Sequence, residues 1–188
     1  MTGLDRQAFF TIGHSTRPLA VFVELLHASR VGLVVDVRTV PRSRTNPQYN
    51  LDTLPEQLSH DGIAYRHIAA LGGLRGKAHD VAVSENAFWT NDSFHNYADY
   101  ALSAAFRSGF DELRDLGHET AIAIMCAEAV WWRCHRRIIT DYLIVAGESV
   151  FHILDKNHVE AARLTPAARP DSSGAVRYPA DATPVAGL

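Results

Sequence analysis

Apolar positions in this chain fall into short continuous runs, separated by stretches in which they recur every three or four residues. The runs Ala8 to Ile12, Leu33 to Val37, Ile63 to Ile68, Thr120 to Met125 and Val150 to Leu154 predict five strands. Runs without polar alternation suit strands covered on both faces. Between them, Leu19, Phe22, Val23 and Leu26 predict a helix from Pro18 to Arg30, and a short helix over Leu54 to His60 stops at Gly62. Helical spacing resumes from Ser93 to Leu116, with a break near Gly109. It returns after Glu128 as a helix reaching Ala146, where Trp131, Cys134, Ile138, Tyr142 and Val145 form one apolar stripe. Strands alternating with helices predict a three-layer α/β fold: a mainly parallel sheet of about five strands with helices on both faces.

The periodic pattern ends near residue 165. A single α/β domain over 1–165 is expected, followed by an Ala- and Pro-rich tail over 166–188 that reads as extended or disordered. The long connection through Leu71-Gly72-Gly73-Leu74-Arg75-Gly76-Lys77 to about Asn91 has the length of a functional or mobile loop.

Composition narrows the functional classes. With 47% hydrophobic and 21% charged residues, the 188-residue chain resembles an ordinary globular protein. It has no stretch of about 18 apolar residues that would span a membrane. No secretory signal is read at its start, and two cysteines do not make a disulfide framework, so the expected location is cytoplasmic. Net charge is −3, which gives no global basic field for nucleic acid. Of the 18 basic residues 16 are Arg, so an isolated arginine says little and only clusters count.

In parallel sheets, ligands bind beyond the carboxyl ends of the strands. Reactive side chains follow four of these strands: His14; Asp36 with Arg38, Arg42 and Ser43; Gly72-Gly73 with Arg75; and Cys126 with Glu128, Cys134, His135 and Arg136. One shared cleft is therefore expected. Cys126, placed by this reading at a helix N-terminus, is the candidate nucleophile, with a thiol made acidic by the helix dipole. Its alternative is a small buried hydrophobe. Cys134 is either a core residue of the apolar stripe or a redox partner to Cys126. Arg133 follows Cys126 one position too late for a Cys-x5-Arg anion loop.

His14, Glu128 and His135 are candidate acid–base groups, and Asp36, costly to bury alone, has Arg38 as a natural partner. Arg38, Arg42, Ser43, Arg75 and Arg136 are candidate ligands for an anion. Zinc at Cys126, Cys134 and His135 is disfavoured by the spacing, which matches no common knuckle, so no metal or cofactor is expected. The leading expectation is a cysteine-dependent hydrolase or transferase acting on a phosphate-bearing small molecule or nucleic acid fragment. A nucleic-acid-binding module that stacks bases on Tyr49, Trp89 or Tyr97 is one alternative. A zinc-dependent hydrolase is another.

Gly13-His14-Ser15, Asp36-Val37-Arg38 with Pro41 and Ser43, Leu71-Gly72-Gly73 with Arg75, and Cys126-Ala127-Glu128 followed by Cys134-His135-Arg136 occur in that order. The set resembles the prokaryotic family catalogued as domain of unknown function 488. The resemblance spans roughly residues 10 to 154 and leaves out the tail. It implies an α/β domain and a shared site that includes both cysteines, and it implies no established reaction.

Overall fold

Every apolar run becomes a strand. In the computed structural model, which describes residues 8–180, these are β1 (Phe9–Gly13), β2 (Leu33–Asp36), β3 (Ala64–His67), β4 (Ile122–Cys126) and β5 (Val150–Asp155). All five are parallel. A sixth, β6 (His158–Ala161), returns antiparallel along the edge of β5, giving the order β3-β2-β4-β1-β5-β6. Its residues are mostly exposed, so it carried no apolar signal.

Side chains alternate across the sheet, as the pleat requires. Val34, Ala123 and Met125 face α1 (Leu19–Ala28) and α2 (Leu54–His60). Leu33, Val35, Ile122 and Ile124 face the opposite core. That core is built with α3 (Asp92–Tyr100), α4 (Ala104–Glu119) and α5 (Arg136–Val145). The three-layer α/β architecture is therefore the one expected. Among the described residues no helix is long and apolar enough to cross a membrane.

Three expectations need correction. The break between α3 and α4 falls at Ala101–Ser103, where the Ser103 hydroxyl caps α4 by accepting from the Phe106 N–H. Gly109 sits inside α4 instead, and a Cβ there would lie 2.8 Å from Ala70.

The helix after β4 starts at Arg136, not behind Glu128. Residues 127–135 form a loop with a single 3-10 turn at Trp131–Arg133.

The stretch after 165 is packed. Ala168, Val176 and Tyr178 are fully buried against the helical core, and β7 (Arg169–Pro170) pairs with β8 (Val176–Arg177). Tyr178 donates its hydroxyl to buried Asp141 at 2.9 Å, and the Thr165 N–H donates to the same carboxylate at 2.8 Å. Small alanines fill gaps there without any periodicity, which is why the pattern looked empty. Residues 181–188, the remainder of that expected tail, lie outside the described residues.

The chain order places the site. The β1-to-β2 crossover runs over the position of β4 on the α1 face, and the β4-to-β5 crossover runs over β1 on the α5 face. The two connections diverge between β1 and β4, which opens a crevice at their carboxyl ends.

Candidate active site

The crevice begins where the ladder between β1 and β4 runs past the strands. Gly13 pairs with Cys126, the His14 N–H donates to the Cys126 carbonyl at 2.9 Å, and the Ser15 N–H to that of Ala127 at 3.0 Å. A Cβ on Gly13 would stand 2.0 Å from the Glu128 carbonyl oxygen, so this approach requires glycine. Above it lies a cleft of about 380 Å³. His14, Arg38, Arg42, Ser43, Cys126, Glu128, Arg133, Cys134 and His135 line it, with Val40, Leu74 and Phe94 as apolar wall. Residues that follow β1, β2, β3 and β4 all line this one cleft, with Gly73 and Leu74 rather than Arg75 as the contribution from behind β3. Asp36 stands behind the cleft rather than in it.

Asp36 and Arg38 make a buried, multiply bonded pair. Arg38 donates from Nε and Nη2 to the carboxylate, at 2.6 Å for the closest contact, and from its own backbone N–H at 2.9 Å. The Tyr65 hydroxyl completes the carboxylate at 2.7 Å, and Arg38 Nη2 also reaches the Tyr49 carbonyl. The carboxylate and the Arg38 Nε and Nη2 donors are all satisfied, the condition under which a buried ion pair is tolerated. What remains for the cleft is Arg38 Nη1, 3.3 Å from His14 Nε2.

His14 is buried and stacked on the Tyr49 ring at 4.1 Å. Its Nδ1–H donates to the Ser15 carbonyl at 2.8 Å, which leaves the Nε2 lone pair toward Arg38 and the cleft. Burial, helped by the neighbouring Arg38 charge, lowers its pKa to about 4, so the ring is neutral at physiological pH. Ser15, with a φ of 50°, makes the turn after β1. It does not cap α1, whose N-cap is Pro18 without any side-chain bond.

The two thiols lie side by side, and their roles differ from those expected. Cys126 ends a strand and no helix follows it directly, so the dipole argument does not apply there. Cys134 is the cysteine next to a helix, since its carbonyl accepts from the Arg137 N–H in the first turn of α5. Arg136 Nε donates to Cys134 Sγ at 3.3 Å, and His135 Nδ1 lies 3.6 Å from the same sulfur. The hydrogen bond that Cys126 gives to Cys134, together with burial, pushes the Cys126 thiol well above its usual range. Burial works against a charge on Cys134 as well. That hydrogen bond, with His135 and Arg136 beside it, outweighs burial and holds Cys134 well below its usual range. The contact between the two sulfurs, with His135 and Arg136, thus favours charge on Cys134 over Cys126.

Arg136 is thus no free anion ligand: it is buried, and its Nη2 donates to the Glu128 carbonyl. Arg75 is also corrected. It donates to the carbonyls of Gly72, Ala69 and Ala70 and lies over the Tyr100 ring at 3.7 Å, bracing the glycine loop outside the main cleft. Arg42 and Ser43 do line the cleft, Arg42 at its exposed rim near Asp52. Exposed Glu128 and Arg133 stand on the opposite lip.

Sequence reasoning passed over Tyr65 and Thr39, and it singled out Tyr49 only as a surface for bases. Tyr49 stacks on His14, Tyr65 completes Asp36, and the Thr39 hydroxyl accepts from the Leu74 N–H. Tyr49 is a buried aromatic in an otherwise polar loop, and that was the available signal. The close approach of Gly73 to His135 was invisible: a Cβ there would stand 2.4 Å from Nδ1.

Cys126 Sγ, Cys134 Sγ and His135 Nδ1 lie within 4.8 Å of one another, the described residues' one group with a metal-like donor set. Spacing argued against this cluster because helical neighbours diverge. Cys134 and His135 precede the helix, and so both face the same point.

The family described as Domain of unknown function DUF488 matches residues 18–143. The chain belongs to this family. The DUF488 stretch contains Asp36, Arg38, Gly73, both cysteines and His135, whereas β1 with His14 lies outside it. Comparison with curated proteins and with solved structures yields no match.

Proposed function

We propose that this DUF488 protein is a cysteine-dependent enzyme, a hydrolase or transferase acting on a phosphate-bearing anion, with Cys134 rather than Cys126 as its nucleophile. The observation that carries the reading is the Cys134 sulfur, which accepts from Arg136 Nε and lies beside the Cys126 sulfur in a cleft rimmed by Arg42 and Arg133. A thiolate is the reactive form of cysteine, and charge-assisted donors are what sustain one in a buried place. In the reading, Cys134 forms a sulfur–phosphorus bond as a phosphorus–oxygen bond breaks, and the leaving oxygen takes the Cys126 proton. Water or an alcohol then bonds to phosphorus as the sulfur–phosphorus bond breaks and frees the Cys134 thiolate; His14 Nε2 takes the attacking group's proton, which returns to Cys126. Arg38 Nη1, Arg42 and Arg133 hold the anion. Two free thiols suit a reducing compartment, the cytoplasm.

The nucleic-acid module draws less support. Tyr49, Trp89 and Tyr97, the aromatics it would stack on, are all buried in the cores. The test is a turnover assay with small phosphate esters and, in parallel, a labelled oligonucleotide, on wild type, Cys134→Ser and Cys126→Ser. The reading expects product from wild type, none from Cys134→Ser, and reduced but measurable turnover from Cys126→Ser. Tight oligonucleotide binding that survives both substitutions, without product, would overturn it.

A further inference from the structure

Three donors of the right kind already surround one point. Cys134 Sγ and His135 Nδ1 are 3.6 Å apart, and Cys126 Sγ completes a triangle with no side above 4.8 Å. Tetrahedral zinc, with bonds of about 2.3 Å to sulfur and 2.0–2.1 Å to nitrogen, places sulfur and nitrogen about 3.5 Å apart and two sulfurs about 3.8 Å apart. The triangle therefore needs to close by no more than about 1.3 Å on any side.

The second observation lies behind the histidine. His135 Nε2–H donates to the Val37 carbonyl at 3.0 Å. Ligating histidines make this outer hydrogen bond, which fixes the tautomer and aims the other nitrogen at the metal. Here it aims Nδ1 at the two sulfurs. Bare backbone at Gly73 packs against the same ring, so a side chain at that position would push the ring away. The remaining side of the triangle opens into the cleft.

We propose that Cys126 Sγ, Cys134 Sγ and His135 Nδ1 form a binding site for one thiophilic divalent cation, zinc in the first instance, with its fourth position open to the cleft. The site goes beyond the thiol reading and does not depend on it. On binding, two sulfur–metal bonds and one nitrogen–metal bond form, and whatever protons the two sulfurs and His135 Nδ1 still hold pass to solvent. The loaded protein then has no free sulfur, so cation binding and thiolate chemistry exclude each other at one place. A soft cation is thereby a reversible block on that chemistry.

The experiment uses the full chain, reduced and stripped with a chelator, titrated with cobalt(II). One equivalent should bind and give the visible bands of a tetrahedral site with sulfur-to-cobalt charge transfer, and zinc should displace it. His135→Ala and Cys126→Ser should each weaken cobalt binding by more than the roughly tenfold to hundredfold that loss of an outer-shell partner costs, with circular dichroism confirming the fold of each variant. Because a variant can fail to fold, wild type carries an independent readout: stoichiometric zinc should protect both Cys126 and Cys134 from iodoacetamide, mapped by mass spectrometry. Binding well below one equivalent, a spectrum without tetrahedral bands, unaltered binding in folded variants, or protection of only one cysteine would overturn the proposal. The thiol reading is judged separately, on metal-free protein. A chain with inert Cys134 that still binds one cobalt ion loses that reading and keeps this one.

Discussion

Arg136 Nε lies 3.3 Å from Cys134 Sγ, two residues from it in the chain, on a guanidinium that is fully buried and also tied to the Glu128 carbonyl. One side chain thus joins the sulfur to the loop that carries the cleft's acidic lip. A buried cation facing a thiolate is compensated, whereas facing a neutral thiol it is not. The pair therefore adds to the low position of Cys134, which the contact with Cys126 leads.

The rate of Cys134 alkylation against pH should show a midpoint below about 8.5, the value of a free thiol. Replacing Arg136 with Met removes a charge-assisted bond of roughly 1.5–3 kcal/mol, so that midpoint should rise by about one to two pH units. Iodoacetamide labelling with peptide mapping measures both. A wild-type midpoint at or above the free value would mean that Cys134 is an ordinary buried thiol.

Asp36→Leu should cost about 3–5 kcal/mol of unfolding free energy, because it strands the Arg38 charge in the interior. Adding Arg38→Met to that variant should return much of the loss, although the Tyr65 hydroxyl stays without its acceptor. Urea denaturation of the three proteins provides the comparison. A double variant no more stable than the single one would show that the two side chains are not coupled.

These residues also mark how far the sequence could be read. Asp36 and Arg38 were legible because a carboxylate at the end of an apolar strand needs a partner, and the nearest candidate was two residues away. The cysteine roles were not. Trp131, Cys134 and Ile138 fit helical spacing, and only the 3-10 turn at Trp131–Arg133 delays the helix to Arg136. Arg75 looked like an anion ligand because its acceptors are backbone carbonyls, which no sequence pattern displays. The packing of Tyr178 on Asp141 joins positions 37 apart in the chain and left no local trace.

Asp141 makes the packed C-terminal stretch pH-dependent. Burial raises its pKa to about 6, so the folded state holds this proton more tightly than the unfolded chain does. The associated stability is complete below about pH 4 and is lost as pH rises through about 6, a change of about 3 kcal/mol. Asp141→Asn should remove that slope. Denaturant titrations of both proteins between pH 4 and 7 should give curves that diverge over this window. Parallel curves would count against a raised Asp141.

Gly73→Ala should disturb the site without unfolding the protein. Its new methyl meets the movable His135 ring rather than backbone, so the ring must turn from Cys134. Cys134 alkylation at neutral pH should slow by about tenfold to a hundredfold, in keeping with the cost of misplacing a catalytic group by about an ångström. The melting temperature should change little. An unchanged rate would mean that the orientation of His135 is immaterial to the sulfur.

β1 pairs with both β4 and β5 in the middle of the sheet, yet it precedes the stretch matched by the family. An expression boundary drawn at residues 18 and 143 would excise that middle strand together with β5, β6 and the Tyr178 contact. The trimmed protein would present β4 as a bare hydrophobic edge, the kind of surface on which chains pair with one another and precipitate. The unit to clone, label or crystallise is accordingly longer than the stretch that matches the family, and must reach from Phe9 to Tyr178.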